Sequence, residues 1–442
     1  MPQPQPTEPG IATHCDVTII GAGLAGKAAA LHLAKAGLSV ICLEPAESVR
    51  QPVGESLDWS APELLRVLGL PMEDLLARKI ATWKRHVTLK MRDGCGAHYD
   101  PTPWLAGPPF YIELRTLHVD RERLDQELLN LALAQGVHVV HDKVVRIDVS
   151  GKRVSAVHTA SGTQVSSPWF IDASGFAACL LAREFGLRAC QFGPAKVAMW
   201  TYFPMPQSIE GTTIYVDPVR SQYLDWIWEI PISSDVVSVG LITPGTSVKA
   251  QRDKGLTVEQ IFQAGVMRYA HFEELLQSGA AAPISVTSFR CRAISRAAGP
   301  NWFISGEAAA MVDPMTSNGV TAALRHADEA SRLILKHRKR GKLSHLARIC
   351  YSSRILQMAK FFNSGIEKII YETPVRNRIG VGAAGRVYTS PAWSMNVVYA
   401  RLKPNGIFST SVLNLLLGLF RASAWILHFL CKRLPQAAEA TS

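Results

Sequence analysis

No two of the eight cysteines form a C-x-x-C pair: positions 15, 42, 95, 179, 190, 291, 350 and 431 are scattered along 442 residues. A clustered zinc site and a disulfide framework are thereby excluded, and reduced thiols are the simplest reading. Cys95 and His98 make an isolated C-x-x-H, which carries no metal argument by itself. The opening stretch, MPQPQPTEPGIATHCDV, has neither a basic region nor an apolar core. That excludes a secretory signal and predicts a short flexible leader. Internal repeats and low-complexity tracts are missing too. Charged residues make up only 19% against 48% hydrophobic, so wholesale disorder is excluded and a large packed core is expected. A chain of 442 residues leaves room for two or three domains.

Acid is scarce at the far end. From Arg332 to Ser442 there are 18 Lys and Arg against three acids, Glu367, Glu372 and Glu439, whereas the preceding residues hold 29 bases and 33 acids. The net charge of +11 therefore resides in the last quarter. Such asymmetry points to an anionic partner for the tail, with a membrane surface and an acidic carrier protein preferred over nucleic acid. The body shows no basic surface signal, so no nucleic-acid partner is expected.

What is present begins with strand, turn, helix and strand over Cys15 to Leu43. DVTII is a β-branched apolar run, GAGLAG a turn, KAAALHLAKAG a helix and LSVICLE the next strand. Strand and helix alternating at this spacing predict a parallel sheet of the βαβ, Rossmann-type kind. Helices follow in SAPELLRVLGL and RERLDQELLNLALAQG, the latter with Leu124, Leu128, Leu131 and Ala132 on one stripe. Short strands fill Val137 to Gly175. Antiparallel strands dominate from Cys190 to Arg292, with LDWIWEIPI and VVSVGLI joined in a hairpin at Ser233, Ser234 and Asp235. A parallel unit returns in NWFISGEAAA and the helix TAALRHADEASRLILK.

Gly21, Gly23 and Gly26 form G-x-G-x-x-G after a strand and before a helix, and Glu44 closes the next strand 18 residues past the last glycine. Glycines let backbone N–H groups approach a pyrophosphate at the positive end of a helix, and the acid accepts from a ribose hydroxyl. Strand, helix, spacing and acid together identify a dinucleotide site. Downstream, DASG over Asp172–Gly175 follows a strand, and GEAAAMVDPMTSNG over Gly306–Gly319 precedes a helix. Both resemble the second and third flavin-contact stretches of the two-domain FAD enzymes shaped like glutathione reductase and hydroxybenzoate hydroxylase. The resemblance implies FAD, with Asp172, Gly175, Gly306, Pro314 and Gly319 around it and Glu307, where Asp is usual, on the ribityl chain.

Within that fold, the segments Gly54-Glu55-Ser56-Leu57, Trp226-Ile227-Trp228-Glu229-Ile230-Pro231 and Met311-x-x-Pro314-x-x-Ser317-x-Gly319 resemble the flavin-dependent halogenases. The second fits W-x-W-x-I-P at every specified position; the third has Met where the family has Phe. The likeness covers about residues 14 to 335 and leans to the branch acting on phenols and pyrroles. Halogenases of free tryptophan carry Glu before the signature serine, and here that residue is Thr316. The resemblance implies that Trp226 and Trp228 wall the substrate off from the flavin, as well as packing a core. It also implies one lysine between flavin and substrate. Trp83–Met91 alternates as a single strand, with Lys84, His86, Thr88 and Lys90 on its polar face. Lys84 fits best, ahead of Lys79 and Lys90, with Ser317 as its companion. A solvent-facing polar edge is the ordinary alternative.

The expected fold is thus α/β: an FAD-binding parallel sheet, an inserted mostly antiparallel substrate sheet and a helical C-terminal region. The expected divisions are a leader over 1–13, FAD-binding segments over 14–80, 111–189 and 293–335, substrate-side strands over 81–110, a substrate domain over 190–292, and a basic helical region over 336–442. The family implies a halogenase in which reduced FAD, oxygen and halide yield hypohalous acid, held by Lys84 beside an electron-rich aromatic ring. A separate flavin reductase would reduce the FAD. The alternatives are a monooxygenase on the same scaffold, an FAD-dependent reductase of a prenyl or other lipid chain, and a flavoprotein without catalysis. In the tail, Lys336–Lys342 is a dense basic run. Ile407–Cys431 is apolar but interrupted by Arg421, which suits an interfacial helix on an anionic membrane or a cap on the substrate domain. The expected setting is cytoplasmic, with peripheral membrane attachment.

Overall fold

A computed structural model describes residues 12–45, 53–91, 96–99, 107–108, 115–205, 210–216, 224–279, 282–372, 395, 399 and 407–433. Residues 1–11 of the expected leader and Cys95 lie outside the described residues. Residues Ala12–His14 instead form an edge strand parallel to Gln164–Ser166, in a four-stranded sheet with Arg153–Thr159 and Val144–Ser150.

The βαβ pattern builds a five-stranded, wholly parallel sheet. Its order is Trp302–Ile304, Trp169–Asp172, Val17–Ile20, Val40–Glu44 and His138–His141. The inner strands read as unbroken apolar runs because both faces are covered, as parallel sheets require. The helix Leu24–Lys35 buries Ala28, Ala29 and Ala30 completely, and these small side chains let it sit close against its neighbours.

A mostly antiparallel sheet of eight strands carries the other half of the molecule. Its order is Ala310–Met311, Ser285–Ile294, Ala189–Pro204, Val236–Pro244, Trp226–Pro231, Gly211–Val216, His86–Met91 and Gly96–Tyr99. The one parallel pairing joins Gly211–Val216 to His86–Met91. Trp226–Pro231 and Val236–Pro244 form the predicted hairpin around Ser233–Asp235. Trp226–Pro231 is buried on both faces: Trp226, Trp228 and Ile230 enter the main core, while Ile227 packs in a second core with Phe262 and Phe272.

The single strand expected over Trp83–Met91 is two strands in two sheets. Ala81–Lys84 pairs antiparallel with Thr116–Val119, whereas His86–Met91 belongs to the eight-stranded sheet. The change occurs at Arg85, whose N–H donates to Glu210 O at 2.9 Å. Period-two alternation reports which residues share a face, not which sheet a strand joins. Lys84 therefore leaves the polar face it was expected to share with His86, Thr88 and Lys90.

At the C-terminal end, the helix His345–Ile366 continues into a π-helical turn over Glu367–Tyr371. The helix Ile407–Arg433 packs beside it, unbroken at Arg421.

Candidate active site

The glycine turn is built for a pyrophosphate. A Cβ on Gly26 would stand 1.9 Å from Gly21 O, and one on Gly21 would stand 2.4 Å from Ala173 O, so neither position admits a side chain. At Gly23 a Cβ would meet nothing within 4 Å, and the helix that begins there has no side-chain cap. An uncapped helix start facing open space is what an anionic group requires. The Glu44 carboxylate accepts from the Ala22 N–H and so braces the turn from beside it.

The two downstream stretches reach the same sheet edge. Asp172 is fully buried, and its oxygens accept from Ser174 N and Oγ and from Leu181 N. That carboxylate fixes the turn leading to Gly175 and has no oxygen directed outward. Gly306 takes a left-handed φ of +61°, and a Cβ there would lie 2.7 Å from Ala25 Cβ, tying the third stretch to the first helix. Glu307, Pro314 and Gly319 are exposed. Glu307 makes no hydrogen bond among the described residues, leaving its carboxylate free to accept a ribityl hydroxyl. The donor set therefore fits FAD.

Lys84 lies deep inside, at 3% exposure. Its Nζ donates to Leu57 O at 2.8 Å and to Ser317 Oγ at 3.4 Å, and stands 4.7 Å from the Trp59 ring centre. Burial pushes its pKa down from 10.5 to about 7, opposed by the weaker pull of Asp58. The solvent-facing alternative is excluded. Ser317 is one of three described non-glycine residues with positive φ, at 55°. Strained backbone of this kind persists where the surroundings hold a residue in place, often at functional sites.

Ser317 Oγ donates to Ser56 Oγ at 3.1 Å, Ser56 Oγ shares a hydrogen bond with Thr212 Oγ1 at 2.8 Å, and Thr212 Oγ1 meets His118 Nε2 at 2.9 Å. A continuous file of hydroxyls thus joins the Lys84 amine to a wholly buried imidazole. Burial, then Lys84 and His86, hold the His118 pKa well below 6.5, so the ring is neutral. Its Nδ1 is unpartnered among the described residues.

The tryptophan pair is bonded to both other signature segments. Trp228 Nε1 donates to Ser238 Oγ at 3.1 Å, and Ser238 Oγ donates to Glu55 Oε1 at 3.3 Å. Trp226 Nε1 donates to Tyr371 OH at 2.8 Å, whose hydroxyl donates to Asp313 Oδ1 at 3.1 Å, beside Pro314. The two rings stand 6.0 Å apart. Asp313 also accepts from the fully buried Lys196 at 2.7 Å, and Lys196 reaches Glu367 at 2.6 Å. Burial alone would lower the Lys196 pKa, but Asp313 overrides it and holds the ammonium charged. The Thr316 hydroxyl, where a free-tryptophan halogenase carries Glu, donates to Asp313 O at 3.0 Å.

Ser238, Tyr371, Lys196, Thr212 and His118 carry no spacing signal. Each meets the site by pairing across strands or from the C-terminal helices, and only Lys196 hinted at itself, as a charge inside an otherwise apolar run.

A family model described as tryptophan halogenase matches residues 114–355, and one described as lycopene cyclase protein matches 16–196. A tryptophan 2-halogenase of Chondromyces crocatus is 30% identical over 70% of this chain and 59% of its own length. A 1H-pyrrole-2-carbonyl-[peptidyl-carrier protein] brominase of Pseudoalteromonas luteoviolacea is 29% identical over 72% of this chain and 77% of its own. A menaquinone reductase of Mycolicibacterium smegmatis is 30% identical over 73% and 76%. Among solved structures, halogenase PltM superposes with a TM-score of 0.75 at 16% identity over 95% of this chain and 93% of that one. The flavin-dependent brominase Bmp2 does so at 0.67 and 22%, over 95% and 98%. At these identities the superpositions establish the α/β flavoprotein fold.

Proposed function

This chain belongs to the tryptophan halogenase family and is an FAD-dependent oxidoreductase, and we propose that it halogenates an electron-rich ring of the phenol or pyrrole kind. The observation that carries the reading is the buried Lys84 amine on Ser317, between the Gly54–Leu57 segment and the Pro314–Gly319 loop. Bound FAD, reduced by a separate flavin reductase, supplies with oxygen the oxidation of halide to hypohalous acid. The parts of the chain that hold FAD are Gly21, Gly23, Gly26 and Glu44 at the nucleotide and Gly175, Gly306, Glu307, Pro314 and Gly319 along the flavin, with Asp172 setting the turn.

Lys84 donates from Nζ to the hypohalous acid and fixes it beside the ring, where a diffusing oxidant would react at random. The halogen passes to a ring carbon, the hydroxide it leaves takes the displaced ring proton, and water departs. Ser317, Ser56 and Thr212 give the amine a hydrogen-bonded route to neutral His118. Trp226 and Trp228 act as the wall that keeps substrate from the flavin. With Thr316 engaged by backbone, no carboxylate assists ring deprotonation there, which favours rings already activated by oxygen or nitrogen. The pyrrole-carrier relatives and the basic tail support a substrate delivered on an acidic carrier protein. Seven described cysteines are free thiols, in keeping with a cytoplasmic setting.

The test is mass spectrometry of phenols and carrier-bound pyrroles incubated with the enzyme, reduced FAD, air and chloride or bromide. Lys84→Ala is expected to abolish halogenation while FAD stays bound; loss of FAD in wild type, or halogenation undiminished in the variant, sinks the assignment. Hydroxylated product that survives Lys84→Ala would identify a monooxygenase instead. The menaquinone reductase relative favours a second reading, reduction of a prenyl or other lipid chain. Turnover without oxygen would reveal it.

A further inference from the structure

The helix Ile407–Arg433 is apolar on two sides: Leu413 and Leu417 are fully buried in the main core, and a second apolar stripe faces outward. Ser411, Ser423 and Arg433 are exposed, but other polar groups along it bond inward: Arg354 Nη1 donates to Thr410 Oγ1 at 2.9 Å, Asn414 Nδ2 to Ser353 Oγ at 2.8 Å, and Arg421 Nη1 to Gln357 Oε1 at 2.9 Å. His428 Nε2 meets Glu372 Oε2 at 3.0 Å. Its outward stripe is apolar, with Phe408 83%, Leu415 63%, Leu419 60%, Ile426 51% and Leu430 49% exposed. Their alternating spacing of seven and four keeps them on one face. A helix folded against water buries such a stripe, and a contiguous exposed apolar face marks a surface meant for another apolar phase.

Beside the stripe, between this helix and the Ser364–Lys368 stretch, opens a cleft of about 410 Å³. Gly365 and Gly418 add no side chain to it; Lys368, Arg421 and half-exposed Trp425 line it. Neither cation has a carboxylate partner among the described residues. The segment from Ile407 to Arg433 contains no Asp or Glu, so nothing on the outer face repels an anion. A second copy of this chain would bring its own uncompensated cations to the same place. An anionic bilayer brings phosphate to the cleft and acyl chains to the stripe. Crossing the bilayer would mean giving up the four inward hydrogen bonds and carrying Arg421 into hydrocarbon, which is costly. Lying in the plane of the surface keeps them all.

We propose that Ile407–Arg433 is an in-plane docking element for anionic phospholipid, with its apolar stripe in the acyl boundary and the Lys368–Arg421 cleft on the headgroup phosphate. The proposal stands apart from the halogenation chemistry, and its test reads no turnover. The full-length, FAD-loaded protein is floated with phosphatidylcholine vesicles with and without phosphatidylglycerol. Wild type should float with the anionic vesicles and release at raised salt. Leu419→Glu with Ile426→Glu should stay at the bottom while retaining FAD and helical circular dichroism. Lys368→Gln should keep its fold and lose about fivefold in partition to anionic vesicles, with no change on neutral ones. Wild type that fails to float overturns the proposal. So does a dimer by light scattering that the Leu419/Ile426 variant dissolves, or a Lys368→Gln protein that partitions like wild type.

Discussion

Burial holds the Lys84 amine near a pKa of about 7 in the fold, while the unfolded chain returns it to 10.5. Between those values the unfolded state binds the proton and the folded state does not, so stability rises with pH through that window. Below about 7 the full desolvation cost is present, on the order of 3–5 kcal/mol. Urea denaturation should show Lys84→Met exceeding wild type at pH 6, with the gap closing as pH climbs towards 10. An unchanging gap would place the amine in contact with water. In turnover, the ammonium donor predicts halogenation that falls as pH rises through about 7; a rate that rises there would identify the neutral amine as the working form. The glycines make a second contrast at this scale. Gly26→Ala forces a Cβ against Gly21 O and should cost several kcal/mol and all FAD, since strain at packed backbone is among the larger mutational effects. Gly23→Ala meets open space and should fold normally while binding FAD more weakly. Thermal melts and flavin absorbance check both. The glycine pattern was legible because its steric demand is local, whereas the burial of Lys84 depends on a neighbour, Ser317, that lies 233 residues away.

At the level of elements, the strand Trp226–Pro231 matters for what its indole N–H groups reach. Through Ser238 and Tyr371, one hydroxyl each, the tryptophans are bonded to the Gly54–Leu57 segment and to the loop holding Asp313 and Ser317. Removing the middle hydroxyl leaves a buried donor and a buried acceptor short of partners, which costs about 1–3 kcal/mol. Tyr371→Phe should therefore lower urea stability by that amount and red-shift indole emission as Trp226 loosens. Unaltered stability and emission would show that the link does no work. The alternation W-x-W already implied a shared face for the pair. The partners were hidden because Tyr371 belongs to a π-helical turn in the tail, where sequence periodicity says nothing about contact with a sheet.

Across the whole molecule, Lys196 joins three regions: the long strand Ala189–Pro204 of the substrate sheet, the loop at Asp313 and the C-terminal helices through Glu367. Deleting the cation strands buried carboxylate, an event worth about 3–5 kcal/mol. Lys196→Met should lower the melting temperature markedly, and Asp313→Asn added to it should recover part of the loss. Additive losses in a double-mutant cycle would deny the coupling.

The chain's linear order determined the parallel sheet, its nucleotide turn, the inserted hairpin, the helices and a tail of one charge, because each follows from short-range sterics, periodicity or composition. Tertiary structure alone decided that Trp83–Met91 changes sheets at Arg85, that Lys84 is sealed against Ser317, that Asp172 spends its oxygens inside the fold, and that the last helix buries one apolar stripe and leaves another exposed. These depend on which distant surfaces meet and how much water they exclude, and neither quantity is encoded at any single spacing along the chain.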